Sequence, residues 1–296
     1  VIAVELEFYL IDRELTPDGR PPSPRSPRRG IRESGTQVLS MASLSDFDEF
    51  FAGIEEAAAV QEIPAEAAVS EAGPGQYEVN LKYNADAMKA VDQGVLLKRL
   101  IKGVAGDVGF DATFMAKPYA DQAGNGLHIH MSLLDGDGRN VFDDGTTRGS
   151  DRMRHAIGGM QSTMAEAMAL LAPNANSYRR FQEGSYAPTS TAWAYNNRTT
   201  GLRIPSGGGL ARRIEHRFAG ADANIYLVTA AVLAGAHHGL MNGIDADEPI
   251  EGNAYVKAEA SLPDTWNDAL LAFDDAKVLP GYLGREFCKI YSEGRW

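Results

Sequence analysis

The 296-residue sequence contains a single cysteine, Cys288, so it has no partner with which to form an internal disulfide. One thiol in a chain of this length favours a reducing, cytoplasmic setting, and we expect Cys288 to be a buried, small apolar side chain. We expect neither a signal peptide nor a membrane span, because no apolar run reaches the ~18 residues that a span needs. The closest candidate, residues 225–240, contains polar residues and predicts a core helix.

Positive charge is also scarce. The chain has 28 Lys and Arg against 40 Asp and Glu, a formal net charge of -12. Binding nucleic acid through its phosphates needs a basic surface, so this balance argues against a general nucleic-acid partner. The sequence lacks the G-x-x-x-x-G-K-[ST] phosphate loop as well. Any nucleotide would therefore be held by metals and arginines instead of by such a loop.

The predicted elements mix strands and helices without strict alternation, which favours an α+β fold over a doubly wound sheet. Apolar residues at helical spacing predict a helix over residues 45–61 with Ser45 as its N-cap. A methionine-rich stripe from Met153 to Leu171 predicts a core helix. The chain lacks an initiator methionine and begins inside a predicted strand, so we expect it to be a fragment or a partial record.

Acidic and imidazole side chains recur at alternate positions in three predicted strands and flank one turn. The segments are Glu5-Leu-Glu7, Glu71-Ala-Gly-Pro-Gly-Gln-Tyr-Glu78, His128-Ile-His130-Met-Ser132 and Arg213-Ile-Glu215-His-Arg217. Residues two apart in a strand share a face, so each strand has one charged and one apolar face. Five carboxylates and the imidazole of His128 suit Mg²⁺ or Mn²⁺ better than Zn²⁺. Each pair alone is more typical of a solvated strand edge, so the prediction depends on the whole set.

Arginine dominates the segment from Asn176 to Arg217, which has no lysine. The seven arginines are Arg179, Arg180, Arg198, Arg203, Arg212, Arg213 and Arg217. Guanidinium groups bind carboxylate and phosphate oxygens in pairs and stay charged when desolvated. Solubility alone rarely selects Arg over Lys so consistently, so the segment predicts anion binding. Two metals with an arginine clamp are suited to phosphoryl transfer.

At this point the motifs resemble a known family, the catalytic domain of the glutamine synthetase superfamily. They are, in order, E-L-E, E-A-G-P-G-Q-Y-E, G-N-G-L-H-I-H-M-S-L, N-S-Y-R-R-F, A-P-T-S-T-A-W, N-N-R-T-T-G-L-R-I-P and R-R-I-E-H-R-F-A-G-A-D-A-N. The resemblance extends from Glu5 to about Gly243. It implies an α+β domain over residues 1–296, with a curved, mostly antiparallel sheet lined with charged residues and covered by helices.

The family also carries an N-terminal β-grasp domain that completes the active site of the neighbouring subunit in stacked hexameric rings. We expect that domain to lie outside this sequence, and the resemblance then implies that the 296-residue chain alone is inactive.

The resemblance also assigns roles to individual residues. Two or more Mg²⁺ or Mn²⁺ ions would be bound, the first by Glu7, Glu71 and Glu78 and the second by Glu5, His128 and Glu215. ATP would contact Glu66, His130, Ser132, Arg203 and Arg213. The transferring phosphate would be held by Arg198 and Arg203. The glutamate pocket would contain Gly124, His128, Arg180 and the catalytic Arg217. The implied reaction joins the glutamate γ-carboxylate to an amine through γ-glutamyl phosphate.

Departures from the family pattern bear on the amine. Glutamine synthetases proper have a glutamate directly before Ala187-Pro188, used to bind ammonium and take its proton, whereas this chain has Tyr186. A phenol is a poor base at neutral pH, but its aromatic face and hydroxyl suit an alkylammonium chain. A glutamate-pocket asparagine is likewise replaced by Ala123. These features resemble the γ-glutamylpolyamine synthetase branch, with putrescine as an example of its amine.

Two other readings stay open. One is an ammonia-using glutamine synthetase, or a γ-glutamylamide ligase for methylamine or ethanolamine. The other is a catalytically silent homologue that serves as a scaffold or binding protein.

Overall fold

The structure is a computed structural model, and it describes residues 1–17, 19–36 and 38–295. Within these residues the chain forms eight strands and nine α-helices, which confirms the predicted α+β class. The strands are β1 Ile2–Asp12, β2 Ala65–Ser70, β3 Gln76–Leu81, β4 Phe110–Thr113, β5 Leu127–Met131, β6 Trp193–Tyr195, β7 Leu202–Ile204 and β8 Ile214–His216.

The helices flank and follow these strands along the chain. They are α1 Met41–Asp46, α2 Asp48–Val60, α3 Ala87–Asp107, α4 Asp151–Leu171, α5 Ile225–Asn242, α6 Ala254–Lys257, α7 Trp266–Asp274, α8 Leu279–Leu283 and α9 Arg285–Glu293. Two short 3-10 helices are Ser177–Arg180, between α4 and β6, and Gly209–Ala211, between β7 and β8. None of the helices in the described part of the chain is both long and apolar enough to cross a membrane.

One mostly antiparallel sheet organises the molecule, in the order β2-β3-β1-β5-β8-β7-β6. Its described strands pair antiparallel except β6 with β7, which run parallel. The 11-residue β1 pairs with β3 along one edge, and with β5 and then β4 along the other. The apolar side chains of β1, including Val4, Leu6 and Phe8, are buried in the core on the side where α3 packs. The charged side chains of β1 therefore share the opposite face.

The methionine-rich stripe forms the core face of α4, as predicted. Met153, Met160, Met164 and Met168 are all almost fully buried. Helix α5 packs against α4 at very short range, since a Cβ on Gly159 would lie 2.2 Å from Gly235 O. Only glycine permits that approach. Cys288 is buried too, in agreement with its predicted apolar role.

The predicted helix over residues 45–61 is wrong in its start and its continuity. Ser45 lies inside α1, and the N-cap is Ser40, whose hydroxyl accepts the Ser43 N–H at 3.2 Å. Phe47 then leaves helical geometry, with φ -122° and ψ 36°, and separates α1 from α2. Its ring is buried against Phe110 and Tyr77, with centroid distances of 5.6 and 6.1 Å. Packing of one aromatic ring therefore overrides the local helical pattern.

Candidate active site

Cross-strand pairing brings the charged faces of four strands together. Glu5 lies opposite Asn80 of β3 on one side and opposite His128 of β5 on the other. Glu7 lies opposite Glu78, and His130 opposite Glu215. Directly opposite residues on one face have neighbouring side chains, so the registers alone predict a compact acidic centre.

Three groups of potential metal ligands occupy this face. In each group the ligand atoms lie within 4.8 Å of one another, and the groups are Glu7/Glu71/Glu78, Glu5/Glu78/His128 and Glu5/His130/Glu215. All six predicted ligands take part. Glu5 and Glu78 each belong to two groups, so the three form one continuous site.

Two hydrogen bonds orient the ring of His130. Arg213 Nε donates to His130 Nδ1 at 3.1 Å, and guanidinium nitrogens can only donate. The remaining ring proton therefore lies on Nε2, which donates to Glu5 Oε2 at 3.1 Å. Glu5 Oε1 is hydrogen bonded to His128 Nδ1. Burial alone would raise the pKa of Glu5, but the two histidines hold it well below its usual range.

Glu215 is the most completely paired carboxylate of the site. Arg203 Nη1 lies 2.7 Å from its Oε2, and Arg217 Nη1 contacts its Oε1. Burial works to raise the pKa of Glu215, but Arg217, with His130 and His128, lowers it to about 2. This carboxylate is consequently ionised throughout the physiological range, and it orients two arginines.

The carboxylates of β3 and its preceding turn are in the opposite situation. Burial, with the nearby charges of Glu5, Glu7 and Glu71, raises the pKa of Glu78 to about 11. Burial, with Glu7 and Glu5, raises the pKa of Glu71 to about 8. A divalent cation would relieve this repulsion, and several carboxylate oxygens with one imidazole are a donor set that fits Mg²⁺ or Mn²⁺.

The turn between Glu71 and β3 is fixed by two residues, Glu33 and Gln76, that the sequence patterns do not single out. Glu33 Oε2 accepts the Gly75 N–H at 3.2 Å. Gln76 Oε1 accepts the Gly73 N–H at 3.0 Å, while Gln76 Nε2 donates to Gly124 O at 3.0 Å. The turn is thereby joined to the segment that contains Gly124. Gln76 could have been found from the sequence, because it belongs to the E-A-G-P-G-Q-Y-E motif. Glu33 could not, because it lies 42 residues from its partner Gly75.

The arginines divide into two groups by their surroundings. Arg180 and Arg217 are buried beside the acidic centre, and Arg180 packs against Gly124, where a Cβ would lie 2.5 Å from Arg180 Cγ. Arg212 instead pairs with Asp143 at 3.2 Å and with backbone carbonyls, a structural role. Among the described residues, the buried Nε atoms of Arg180, Arg203 and Arg217 have no hydrogen-bond partner. Unpaired buried donors of this kind need an acceptor, and an anionic ligand would supply one.

The match to known proteins agrees with this geometry. The family model described as "Glutamine synthetase, catalytic domain" matches residues 1–296. The chain belongs to the glutamine synthetase family. The sequence resemblance and the α+β prediction are thereby confirmed.

The names of similar proteins in the glutamine synthetase family refer to different amines. The chain is 45% identical over 98% of its length to gamma-glutamylputrescine synthetase PuuA of Escherichia coli (strain K12), and spans 62% of that protein. It is 35% identical over 98% of its length to a glutamate–isopropylamine ligase of Pseudomonas sp, and spans 64% of it. A solved GmaS complex with ADP superposes with a TM-score of 0.87 at 30% identity, covering 99% of this chain and 67% of that one.

Some residues that the family resemblance selects are not members of the three ligand groups. Glu66 is exposed on β2, in a groove between that strand and α2, and belongs to none of the three ligand groups. Ser132 directly follows β5, and its backbone N–H donates to Val1 O at 3.1 Å. Arg198 is exposed on the loop between β6 and β7, and its charge works to lower the pKa of Glu71. Tyr186 is 59% exposed and has a φ of +59°, which is uncommon for a residue other than glycine.

Proposed function

We propose that the protein is an ATP-dependent carbon–nitrogen ligase that joins the γ-carboxylate of glutamate to an amine through γ-glutamyl phosphate. The observation that supports this most directly is the single sheet face on which three acidic ligand groups meet buried arginines with unpaired donors. The carboxylates provide ligands for cations, and the arginines provide donors for anions. A site of this kind can bind a nucleoside triphosphate and a carboxylate substrate together.

For the metals, we propose Glu7, Glu71 and Glu78 as ligands of one ion and Glu5, His128 and Glu215 as ligands of a second. Bound Mg²⁺ or Mn²⁺ would neutralise phosphate charge during transfer. Glu215 can serve this purpose because its arginine partners keep it ionised. The Gly126 N–H, which donates to Glu7 Oε2 at 2.6 Å, holds that carboxylate in place.

For the substrates, we propose that the arginines bind the two anions. Arg198 and Arg203 would hold the transferring phosphate, Arg180 and Arg217 the glutamate, with Gly124 shaping its pocket. The Arg203 side chain is only 12% exposed, so its charge acts in a poorly solvated setting, where electrostatic stabilisation is strong. ATP contacts would come from a further set, namely Glu66, His130, Ser132, Arg203 and Arg213.

For the amine, we propose an alkylamine, with a polyamine such as putrescine as the first choice. Tyr186 stands where a proton-accepting glutamate binds ammonium in glutamine synthetases proper. An exposed aromatic face next to the buried Ala187 can cover an alkyl chain, and it attracts an ammonium group. The name of the relative that is 45% identical also refers to putrescine.

The family resemblance further leads us to propose a cytoplasmic homo-oligomer of stacked hexameric rings, in which an N-terminal β-grasp domain completes each neighbouring site. Mass photometry of the protein at its full natural length tests the subunit number.

The test of function uses the protein at its full natural length and compares phosphate release from ATP with glutamate, Mg²⁺ and one amine at a time. We expect the highest kcat/KM with putrescine, and lower values with ethanolamine, methylamine and ammonia. Ammonia turnover equal to or above that with putrescine would overturn the alkylamine assignment and favour a glutamine synthetase. No glutamate-dependent phosphate release with any amine would overturn the ligase and favour a silent binding protein.

A further inference from the structure

The one-turn helix α6 is tied to the loop that carries Arg198. Asn197 Nδ2 donates to Gly252 O, just before the helix, at 2.7 Å. The Ala254 N–H donates to Thr199 Oγ1 at 2.9 Å. Asn197 and Thr199 immediately flank Arg198, so two hydrogen bonds connect the start of α6 to both sides of that residue.

The same helix is tied to the loop that carries Tyr186. The hydroxyl of Tyr255, which is half-buried in α6, donates to Ala187 O at 2.8 Å. The N-cap Asn253 accepts the Tyr255 N–H at 3.1 Å and holds the helix that presents this side chain. Helix α6 therefore bridges two loops, one with an arginine and the other with an exposed tyrosine.

The Tyr186 loop needs such support. A tyrosine at φ +59° is in an unfavourable backbone conformation that persists only when its surroundings impose it. On one side Ser185 Oγ donates to Arg180 O at 2.7 Å and accepts the Ala187 N–H at 3.3 Å. On the other side the Ala187 carbonyl is held by Tyr255. Removing either contact would let Tyr186 relax.

We propose that Tyr255 is a positioning residue that sets amine specificity, because its hydroxyl fixes the Tyr186 loop at a defined place relative to the Arg198 loop. The inference rests on the proposed amine ligation. In that reaction the amine nitrogen would attack the γ-carbonyl carbon of γ-glutamyl phosphate, the C–O bond to phosphate would break, and inorganic phosphate and a proton would leave. The separation of the two loops then decides how long an amine fits between them. Arg180 and Arg217 keep their own contacts, to Phe218 O at 3.1 Å and to Glu215. Glutamate binding should therefore be insensitive to Tyr255.

The test is Tyr255→Phe in the protein at its full natural length, since this change removes one hydroxyl and keeps the ring. We expect the KM for putrescine to rise about fivefold, the size of one net hydrogen bond. The preference for putrescine over ammonia should fall by a similar factor, while the KM values for glutamate and ATP stay within about twofold. The matched control is Tyr291→Phe, which removes a phenol hydrogen bond to Ala169 O at 2.9 Å between α9 and α4. The control should change none of these values.

The possible outcomes separate this inference from the proposed function. If the unaltered protein ligates no amine, the proposed function fails and the inference with it. If it ligates putrescine but Tyr255→Phe leaves the amine KM and the amine preference unchanged, the inference alone is overturned. An equal rise in the KM values for glutamate and amine would also overturn it, because that pattern shows general loosening of the site.

Discussion

Arg203 and Glu215 face each other across the β7–β8 ladder, with Arg203 Nη1 2.7 Å from Glu215 Oε2. The strand register fixes this pair, and the buried carboxylate uses only one of the guanidinium nitrogens in that bond. Arg203 Nη2 donates to Asn196 Oδ1 at 3.0 Å. Glu215 thereby orients the Arg203 guanidinium and leaves its Nε donor available to another acceptor.

Replacing Arg203 by lysine should reduce kcat about 100-fold, because an ammonium cannot contact Glu215 and a phosphate through separate planar donors. Steady-state phosphate release measures the change. Arg139→Lys is the matched control, since Arg139 is exposed and pairs only at 3.6 Å with Asp137. A kcat within twofold of the unaltered protein for Arg203→Lys would contradict the assigned role.

Binding of Mg²⁺ or Mn²⁺ should release about one to two protons per chain at pH 7, because coordination needs deprotonated ligands. Without a cation, burial and neighbouring carboxylates raise the pKa of Glu78 to about 11 and of Glu71 to about 8. Calorimetric titrations in two buffers with different ionisation enthalpies count the protons. Glu78→Gln should lower the count by about one. Identical heats in both buffers would show that no proton is released.

Tyr186→Glu should raise kcat/KM for ammonia relative to putrescine by about tenfold or more, because a carboxylate binds ammonium and accepts its proton. The control is Tyr186→Phe, which keeps the aromatic face and should retain the preference for putrescine. Competition assays with both amines present give the ratio directly. An unchanged ratio in Tyr186→Glu would mean that this position does not select the amine.

Lys98 should make the protein more stable as the pH rises from about 8 to 10.5. Burial, with Lys102 nearby, lowers the pKa of Lys98 to about 8. The unfolded chain then binds more protons than the folded chain over this interval, so the free energy of unfolding increases with pH. Relative to Lys98→Met, the gain should be about 1–3 kcal/mol. Urea titrations at several pH values measure it, and parallel curves for the two proteins would contradict it.

The alternation of charged and apolar residues in the strands predicts most of the candidate metal site. Glu5, Glu7 and His128 were placed on one sheet face because alternation across a pleated strand is a local rule. The structure brings these residues into the three ligand groups. The ordered motifs predicted the family, which the family model confirms over residues 1–296.

Structural features that depend on contacts between residues far apart in the chain could not be predicted from local sequence patterns. The break at Phe47 arises from packing on Phe110 and Tyr77, which are 63 and 30 residues away in the numbering. The support of the Glu71 turn by Glu33 and the parallel pairing of β6 with β7 have the same origin. Local propensity carries no information about such contacts.

The central position of β1 in the sheet determines how unfolding disrupts the candidate metal site. Both edges of this strand are hydrogen bonded around Glu5 and Glu7, to β3 on one side and to β5 and the Gly126 carbonyl on the other. Detaching Glu5 and Glu7 from their neighbours therefore requires opening the middle of the sheet, not fraying of an edge. Amide hydrogens at these positions should exchange with solvent only through global unfolding. Heat or denaturant should then abolish cation binding and the fold in a single cooperative transition.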